Sequence, residues 1–340
     1  MTPRWEDLNA RARGLSTHLL RRAGLEAAAR SANVPSLAAE LRQRGYPLEE
    51  GSRASAAEVE LAARRAAAAR FATLVRWLGR TRTDALAVLV EDEERRSLRA
   101  LIRGAVERAP AELRLAGLLP TPGLPERALG ELARQPTPRA VASLLVAWRH
   151  PYGALLFAGT TGPETDLFGL ESALSRLFAE RALRAARHAG RILERHVREV
   201  IDVENAFAAL VLSGEPEGGR GPHDMLPGGR FVSAERFAAA IAGHDPGLAG
   251  RVLAEAFAGT PLAKAFAQAG TDPGGMERAV LRAQIAGLHG VALREPLSVA
   301  PLLEYALRLR AELLDVRWIT WGVSLGAPGQ VLAGGLVTVT

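Results

Sequence analysis

Histidine is the side chain here that could most readily bind a metal or transfer a proton near neutral pH. The chain has 7 histidines and no cysteine, and no histidine has the spacing of a metal-binding or protease motif. His188 and His196 lie eight residues apart in a highly charged stretch, whereas His223 and His244 each precede an aspartate beside Pro or Gly, which is typical of a turn. We therefore expect structural or surface histidines, with no metal site and no cofactor.

Glycine-rich stretches could bind phosphate, but the two in this chain lack the rest of that motif. Neither Gly218–Gly221 nor Gly228–Gly229 is followed by the Lys-Ser/Thr pair of a phosphate-binding loop. The sequence also lacks a Gly-x-Ser-x-Gly elbow and the motif set of a kinase. These patterns predict turns, no catalytic residues and no small-molecule substrate. An all-α enzyme whose site is assembled from distant residues stays an alternative.

Two tryptophans near Arg317 could form a stacking surface for nucleic-acid bases or a partner. Trp318 and Trp321 are three residues apart, a spacing that core aromatic residues on one helix face also show. We favour core packing for this pair.

The charge balance bears on nucleic-acid binding. The 340 residues include 43 basic and 37 acidic ones, for a net charge of +6. Lys264 is the only lysine, and carboxylates alternate with the arginines along the sequence. The sequence therefore gives only a weak signal for the clustered basic surface that binds nucleic-acid phosphates. We expect no nucleic-acid partner. A free-standing α-helical repeat adaptor or a nucleic-acid-binding protein stays an alternative function.

Composition and hydropathy favour an all-α fold that does not span a membrane. Aromatic residues make up 5% of the chain and hydrophobic residues 48%, with abundant Ala and Leu. The longest apolar run, Val141–Trp148, is far shorter than the ~20 residues of a spanning helix. Met1–Arg13 is polar and charged, so we expect no signal peptide.

Helix signals divide the chain into long and short helices. We predict one helix over Trp5–Ser31, a capping box at Ser55–Glu58 that opens a helix to Leu78 with Gly79 as its stop, and a long middle helix from Gly162-Pro163 to about Val200. The last long helix is expected between Asp272 and Glu295, and the tail Gly326–Thr340 should lack helical periodicity.

A recurring four-residue frame indicates internal repeats. It pairs a carboxylate or apolar residue with a polar residue three places later, and its later copies are about 110 residues apart. We expect each copy near the start of a helix. The copies are Glu6-x-x-Asn9, Glu94-x-x-Ser97, Asp202-x-x-Asn205 and Leu314-x-x-Arg317.

A second repeated piece is a helical run that ends at a tight break. The breaks are Gly45–Pro47, His150–Tyr152 and Gly259–Pro261. Both repeats predict helical units over 1–89, 90–197 and 198–340, and the C-terminal segment could complete the first unit. Between helices of the third unit, Gly228 or Gly229 should adopt a positive φ after Pro227.

Five segments in the same order resemble one protein family. Arg294–Tyr305 and Glu312–Arg317 resemble the C-terminal signature of the C subunits of V/A-type rotary ATPases, whose homologues in eukaryotic V-type pumps are the d subunits. Asn9–Leu15 is similar to the family's N-terminal helix, and Glu199–Asn205 with Leu226–Val232 is similar to its middle signature.

This resemblance implies a fold, a role and partners. It implies three similar helical domains about a pseudo-threefold axis, forming a funnel that joins the central stalk to the proteolipid rotor ring. It also implies a non-catalytic rotor socket that transmits torque for ion transport coupled to ATP synthesis or hydrolysis. The protein would sit at the cytoplasmic face as a peripheral component, touching the membrane only through the ring.

Candidate interface residues are Arg11, Arg13, Arg42 and Arg44, because guanidinium groups form orientation-fixing pairs with carboxylates.

Overall fold

The computed structural model describes residues 5–50, 54–78, 83–162, 165–214, 221–269 and 273–339. Every regular element in these ranges is helical, which confirms the all-α prediction. The expected stop at Gly79 and most of the glycine-rich stretch 218–221 lie outside the described residues. The chain forms two compact units, one made of Met1–Leu78 with Gly259–Thr340 and the other of Gly79–Ala258, here called unit 1 and unit 2.

The described helices are, in chain order, α1 Glu6–Ser16, α2 Arg22–Ala29, α3 Val34–Gln43, α4 Ala56–Leu78, α5 Thr83–Val106, α6 Ala111–Leu115, α7 Glu126–Ala133, α8 Pro138–Ala147, α9 Gly153–Gly159, α10 Leu167–Ala189, α11 Arg191–Ser213, a short 3-10 helix Pro222–Asp224, α12 Ala234–Ala242, α13 Pro246–Ala256, α14 Leu262–Ala267, α15 Pro273–Arg294, α16 Ala300–Ser324 and α17 Gly329–Gly334.

Unit 1 is built around α16. This helix packs against α4 and α15 along its length and contacts α1, α2, α3 and α17. Its buried side chains cover most of the circumference rather than one narrow stripe, which is the pattern of a helix packed against several others. Glu312 and Asp315 are among these buried residues, so their carboxyl groups need hydrogen-bond or ion-pair partners inside the core.

Unit 2 is built on three long helices. α10 packs side by side with α5 and with α11, and the shorter α12 and α13 pack on α11. Leu170, Leu174 and Phe178 form the apolar stripe of α10 and are buried.

Two of the predicted helices are each split in two. The expected Trp5–Ser31 helix becomes α1 and α2, because the N–H of Leu20 donates to the Glu312 carboxylate at 2.5 Å instead of continuing the helix. The expected middle helix becomes α10 and α11, because Gly190 takes a φ of 116° and ends α10. Both predictions of an unbroken helix were wrong. In the first case, a contact with a residue distant in sequence overrides the local helix propensity.

Other helix signals are confirmed. Ser55 and Glu58 form the capping box, with the Ser55 N–H donating to Glu58 at 2.7 Å and the Glu58 N–H to the Ser55 hydroxyl at 3.3 Å. The helix expected between Asp272 and Glu295 is α15. The prediction that it is the last long helix was wrong, because the longer α16 follows it. The tail prediction was incomplete, because α17 lies within it.

The repeated breaks share a left-handed residue. Gly45, Arg149 and Gly259 have φ values of 87°, 56° and 78°. After α3 and α8 the same two backbone hydrogen bonds close the helix end, forming a Schellman motif. The recurrence is therefore present in local backbone geometry, while the division into three units stays a prediction.

Candidate functional site

The frame residues of α11 hold a later loop against the helix. Asp202 accepts hydrogen bonds from the N–H groups of Arg230–Val232 at 2.8 to 3.0 Å. Asn205 binds both backbone groups of Leu226, accepting from its N–H at 2.7 Å and donating to its carbonyl at 2.9 Å. Both side chains are fully buried. Asp202 and Asn205, three residues apart on α11, thus fix the path of the loop before α12.

The glycines in that loop allow its close approach. Gly228 has a φ of 103°, which confirms the prediction of a positive φ at Gly228 or Gly229. A Cβ on Gly228 would lie 2.6 Å from Leu183, and one on Gly229 would collide with the Asp202 carboxylate. Arg198 adds a hydrogen bond to the Gly228 carbonyl at 3.0 Å.

α16 makes the same pair of contacts with the segment after it. Asp315 accepts from the N–H groups of Val337 and Thr338 at 2.6 and 2.9 Å, and the indole N–H of Trp318 donates to the Leu332 carbonyl at 3.1 Å. The spacing of Asp315 and Trp318 matches that of Asp202 and Asn205. The fourth frame therefore lies one residue later than Leu314 and Arg317.

Arg317 itself has another role. Its guanidinium lies 3.3 Å from Glu60 on α4, and the same carboxylate accepts a hydrogen bond from the Trp321 indole at 2.6 Å. Trp321 is 38% exposed. Trp318 therefore anchors the segment after α16, whereas Trp321 makes an interhelical contact.

The two earlier frames also anchor non-helical segments. On α5, Glu94 accepts a hydrogen bond from the Thr121 hydroxyl at 2.8 Å, and Ser97 is buried beside it on the same helix. On α1, Asn9 donates to the carbonyls of Pro296 and Ser298 at 2.9 and 2.8 Å, fixing the turn between α15 and α16.

The frame positions differ from the prediction in where they lie along the helices. Asn9 is in the first turn of α1, but Ser97, Asn205 and Arg317 lie well inside α5, α11 and α16. The expectation of helix starts was wrong for these three, because the segments held by Glu94, Asn205 and Asp315 meet the middle of α5, α11 and α16 and not their ends.

A buried ion network joins the three long helices of unit 2. Arg95 has no exposed surface. It pairs with Asp92 at 2.8 Å and with Glu204 on α11 at 2.9 Å, and donates to Ser175 on α10 at 3.0 Å. Its guanidinium lies 4.9 Å from the Phe178 ring centre, within the range of a cation–π contact.

Further arginines extend this network along α5. Arg99 bridges Glu204 at 2.6 Å and Glu171 at 3.1 Å, and Arg103 donates to Glu171 at 2.6 Å. Carboxylates of α10 and α11 are thereby held by successive turns of α5, since residues four apart lie on one helix face.

Burial and these ion pairs set the protonation of the core. Burial raises the pKa of Glu204, but the guanidinium groups of Arg95 and Arg99 outweigh it and lower the pKa to about 2. Burial lowers the pKa of His196 to about 4, so it is neutral at pH 7. Burial raises the pKa of Glu199 to about 7.

Unit 1 has its own buried carboxylate at Glu312. It accepts from the Leu20 N–H at 2.5 Å and the Tyr46 hydroxyl at 2.8 Å, and it forms a salt bridge with Arg70. Burial raises the pKa of Tyr46 well above its usual value, and Glu312 adds to that effect. One carboxylate on α16 thus ties together the turn after α1, the turn after α3, and α4.

The four predicted interface arginines lie on the surface of unit 1. Arg11 pairs with Asp7 at 3.2 Å and Arg44 with Glu40 at 2.9 Å, each one turn away on its own helix. Arg42 donates to the Glu49 carbonyl at 3.0 Å. Arg13 is exposed and has no ion pair among the residues described in unit 1.

Within the described ranges, no group of three or more His, Asp or Glu side chains could hold a metal ion. None of the helices placed by the structure is both long and apolar enough to cross a bilayer.

A family model for the ATP synthase (C/AC39) subunit matches residues 8–332. The chain belongs to this family. The match confirms the resemblance carried by the five segments, and it makes the protein a component of a V/A-type rotary ATPase. No individual curated protein matches the chain significantly.

Several structural residues of this C/AC39 chain were missed by the sequence reasoning. The run Glu91–Arg96 reads as a solvated charged face, yet Arg95 is its most buried member. The available signal was the apolar spacing of Leu98, Leu101 and Ile102, which places Arg95 on the same inward face.

Proposed function

We propose that this C/AC39 protein is the non-catalytic socket of the central rotor, which links the central stalk to the proteolipid ring and transmits torque between them. The observation that carries the proposal is the family match across residues 8–332. In this role the three predicted units, 1–89, 90–197 and 198–340, form a funnel about a pseudo-threefold axis, and ATP turnover belongs to other subunits.

The internal construction supports a torque-bearing role. Transmitting torque requires that helices and loops do not shift relative to one another. Here buried helix side chains hold the non-helical segments Leu226–Val232, Val337–Thr338 and Pro296–Ser298 through hydrogen bonds. The hydrogen-bonded side chains of Asp202, Asn205 and Asp315 favour one arrangement of these segments over alternatives.

The charge distribution supports protein partners over nucleic acid. Arg11, Arg44, Arg127 and Arg198 each pair with a carboxylate one turn away on the same helix. Such pairs reduce the field that would attract a phosphate backbone. The repeat-adaptor and nucleic-acid alternative therefore gains no support. The protein would act at the cytoplasmic face, peripherally, with membrane contact through the ring alone.

Arg11, Arg13, Arg42 and Arg44 are proposed to contact carboxylates of the stalk or ring. Surface pairs within one helix are worth only ~0.3–0.5 kcal/mol, so Arg11 and Arg44 can exchange their intrahelical partners for intermolecular ones at small cost.

Affinity purification of the tagged protein from detergent-solubilised membranes tests the assignment. We expect the ring and stalk proteins to copurify in stoichiometric amounts. Recovery of the chain alone, or with nucleic acid that is released at high salt, would contradict the socket role.

The double variant Arg11→Glu/Arg13→Glu tests the interface. It should lower the recovery of stalk and ring and uncouple ATP hydrolysis from ion pumping. Arg134→Glu/Arg251→Glu is a matched control, because both residues are exposed and the charge change is equal. If the first variant keeps a coupled complex, this end of the chain is not the interface.

A further inference from the structure

A short segment after α16 lies as a separate layer on unit 1. The backbone turns at Gly326, which has a φ of 71°, and continues as α17 and an extended stretch to Val339. α17 packs against α2 and α16. We call residues 327–339 the strap. Its outer side is open to solvent, because Val331 is 57% and Val339 is 61% exposed.

Two arginines from different helices hold the main chain of the strap. Arg22 on α2 donates to the Ala333 carbonyl at 2.7 Å and to the Thr338 carbonyl at 3.0 Å. Arg282 on α15 donates to the Leu336 carbonyl at 2.6 Å. These contacts end on carbonyl groups, so they fix the path of the strap backbone.

The strap thereby connects the two sequence segments that make up unit 1. Asp315 and Trp318 bind it from α16 through the contacts described above. Arg22 belongs to the N-terminal segment of the unit, whereas Arg282 and α16 belong to the C-terminal segment. The seated strap therefore links α2 to α15 and α16 by hydrogen bonds.

Apolar side chains seat the strap between these hydrogen bonds. Its buried apolar anchors are Leu332, Leu336 and Val337. A Cβ on Gly322 of α16 would collide with the Leu332 side chain. The absence of a side chain at Gly322 thus leaves a notch in α16, and Leu332 fills this notch.

The strap depends on its seat more than the helices beneath it depend on the strap. α17 has 6 residues, and isolated helices shorter than about 12–15 residues are marginal in water. Away from its seat, the strap should therefore lose its helical structure. By contrast, α16 also packs against α4, α15 and α1, and the strap takes no part in those contacts.

We propose that the strap is a releasable lock on unit 1. It leaves its seat as one unit, with Gly326 as the hinge, while the helices beneath it stay folded. Seated, the strap holds α2 to α15 and α16. Released, it uncovers Asp315, Trp318 and the notch at Gly322. Unit 1 thus has a locked and an unlocked state that differ in one short segment, and this device does not depend on the socket role.

Thiol labelling of the purified full chain tests the proposal, because the sequence has no cysteine. Val337→Cys places a thiol in the strap, and Val59→Cys places one on α4; both valines are 0% exposed. Without denaturant, the strap thiol should react with Ellman's reagent about tenfold faster or more than the α4 thiol, since local opening is easier than unfolding of the unit. Equal rates at the two thiols would overturn the proposal.

A core variant separates opening of the strap from unfolding of unit 1. Leu74→Ala truncates a side chain on α4 that is 1% exposed. It should speed labelling of the α4 thiol about tenfold or more and change labelling of the strap thiol by less than about twofold. Parallel acceleration of both thiols would mean that the strap opens only when unit 1 unfolds, and the proposal would fail.

A variant of the seat releases the strap directly. Gly322→Ala fills the notch, so it should speed labelling of the strap thiol about tenfold or more, while circular dichroism retains the signal of the long helices. Gly287→Ala is the matched control, because it lies in α15 and its Cβ would meet nothing within 4 Å. This control should change the strap rate by less than about twofold. Unchanged labelling in Gly322→Ala, or equal acceleration in the control, would overturn the proposal.

Discussion

Replacing Arg95 by Met should destabilise unit 2 substantially. Methionine fills the space of the arginine stem but leaves Asp92 and Glu204 without their shared partner. Breaking a buried pair on one side typically costs about 3–5 kcal/mol. Since Arg96 still pairs with Asp92 at 2.9 Å and Arg99 with Glu204 at 2.6 Å, we expect the lower end, about 3 kcal/mol.

The loss should depend on pH in a definite direction. The pKa of Glu204 falls from 4.5 to about 2 in the fold, and such a shift is linked to about 3 kcal/mol of stability. A carboxylate with a lowered pKa stabilises the fold above its unfolded value and loses that contribution as pH falls from 4.5 towards 2. The difference between wild type and Arg95→Met should therefore be smaller at pH 3 than at pH 7.

Urea unfolding followed by far-ultraviolet circular dichroism measures both quantities. Arg127→Met is the matched control, because the Arg127 side chain is 91% exposed and pairs with Glu131 at 2.9 Å along its own helix. That control should change stability by less than about 0.5 kcal/mol. A loss below about 1 kcal/mol for Arg95→Met at pH 7, or the same loss at pH 3, would refute the network argument.

Three further predictions concern the loops and the titrating core. Gly228→Val should cost on the order of 1–3 kcal/mol, because it combines a positive φ with a contact at Leu183, whereas Gly130→Val, where a Cβ meets nothing within 4 Å, should not lower the melting temperature. Asp315→Asn should cost about 1–3 kcal/mol in thermal melts, because it removes a charged acceptor from two N–H groups; an unchanged melting temperature would contradict the anchoring role. Since burial raises the pKa of Glu199 from 4.5 to about 7, the wild type loses stability as pH rises from 4.5 through 7, where the unfolded carboxyl is ionised and the folded one is still being forced to ionise. Glu199→Gln should therefore be more stable than wild type by about 3 kcal/mol at pH 8 and equal to it near pH 3, and the reverse order would disprove the assignment.

Much of the fold could be predicted from local signals. Helix content, the capping box at Ser55, and the turn at Gly228 follow from residue types whose preferences act over a few positions. The recurring frame pointed to structurally related residues, and the structure explains the frame as a means of anchoring a later loop to the middle of a helix. The anchored partner lies 21 to 30 residues away along the chain for α11 and 287 to 289 residues away for Asn9, and periodicity alone cannot identify it.

Other features depended on contacts distant in sequence. The break after α1 follows from Glu312, which is 292 residues from Leu20. The burial of Arg95 depends on carboxylate and hydroxyl groups of α10 and α11. The four arginines proposed for the interface have the opposite character, because they lie at the surface and their charges leave no imprint on the packing of the core.

The discontinuous make-up of unit 1 affects how the protein is synthesised. The segments Met1–Leu78 and Gly259–Thr340 are separated by about 180 residues, which a ribosome translates in roughly 10–40 s at ~5–20 residues per second. During that interval α1–α4 have emerged without α16, and the core faces that α16 covers are open to solvent. Tyr46 and Arg70 likewise lack their hydrogen bond and salt bridge to Glu312 until that residue has been synthesised. Unit 2 can complete its contacts first, so the nascent chain should need protection from aggregation at its N-terminal helices until residues 300–324 leave the ribosome.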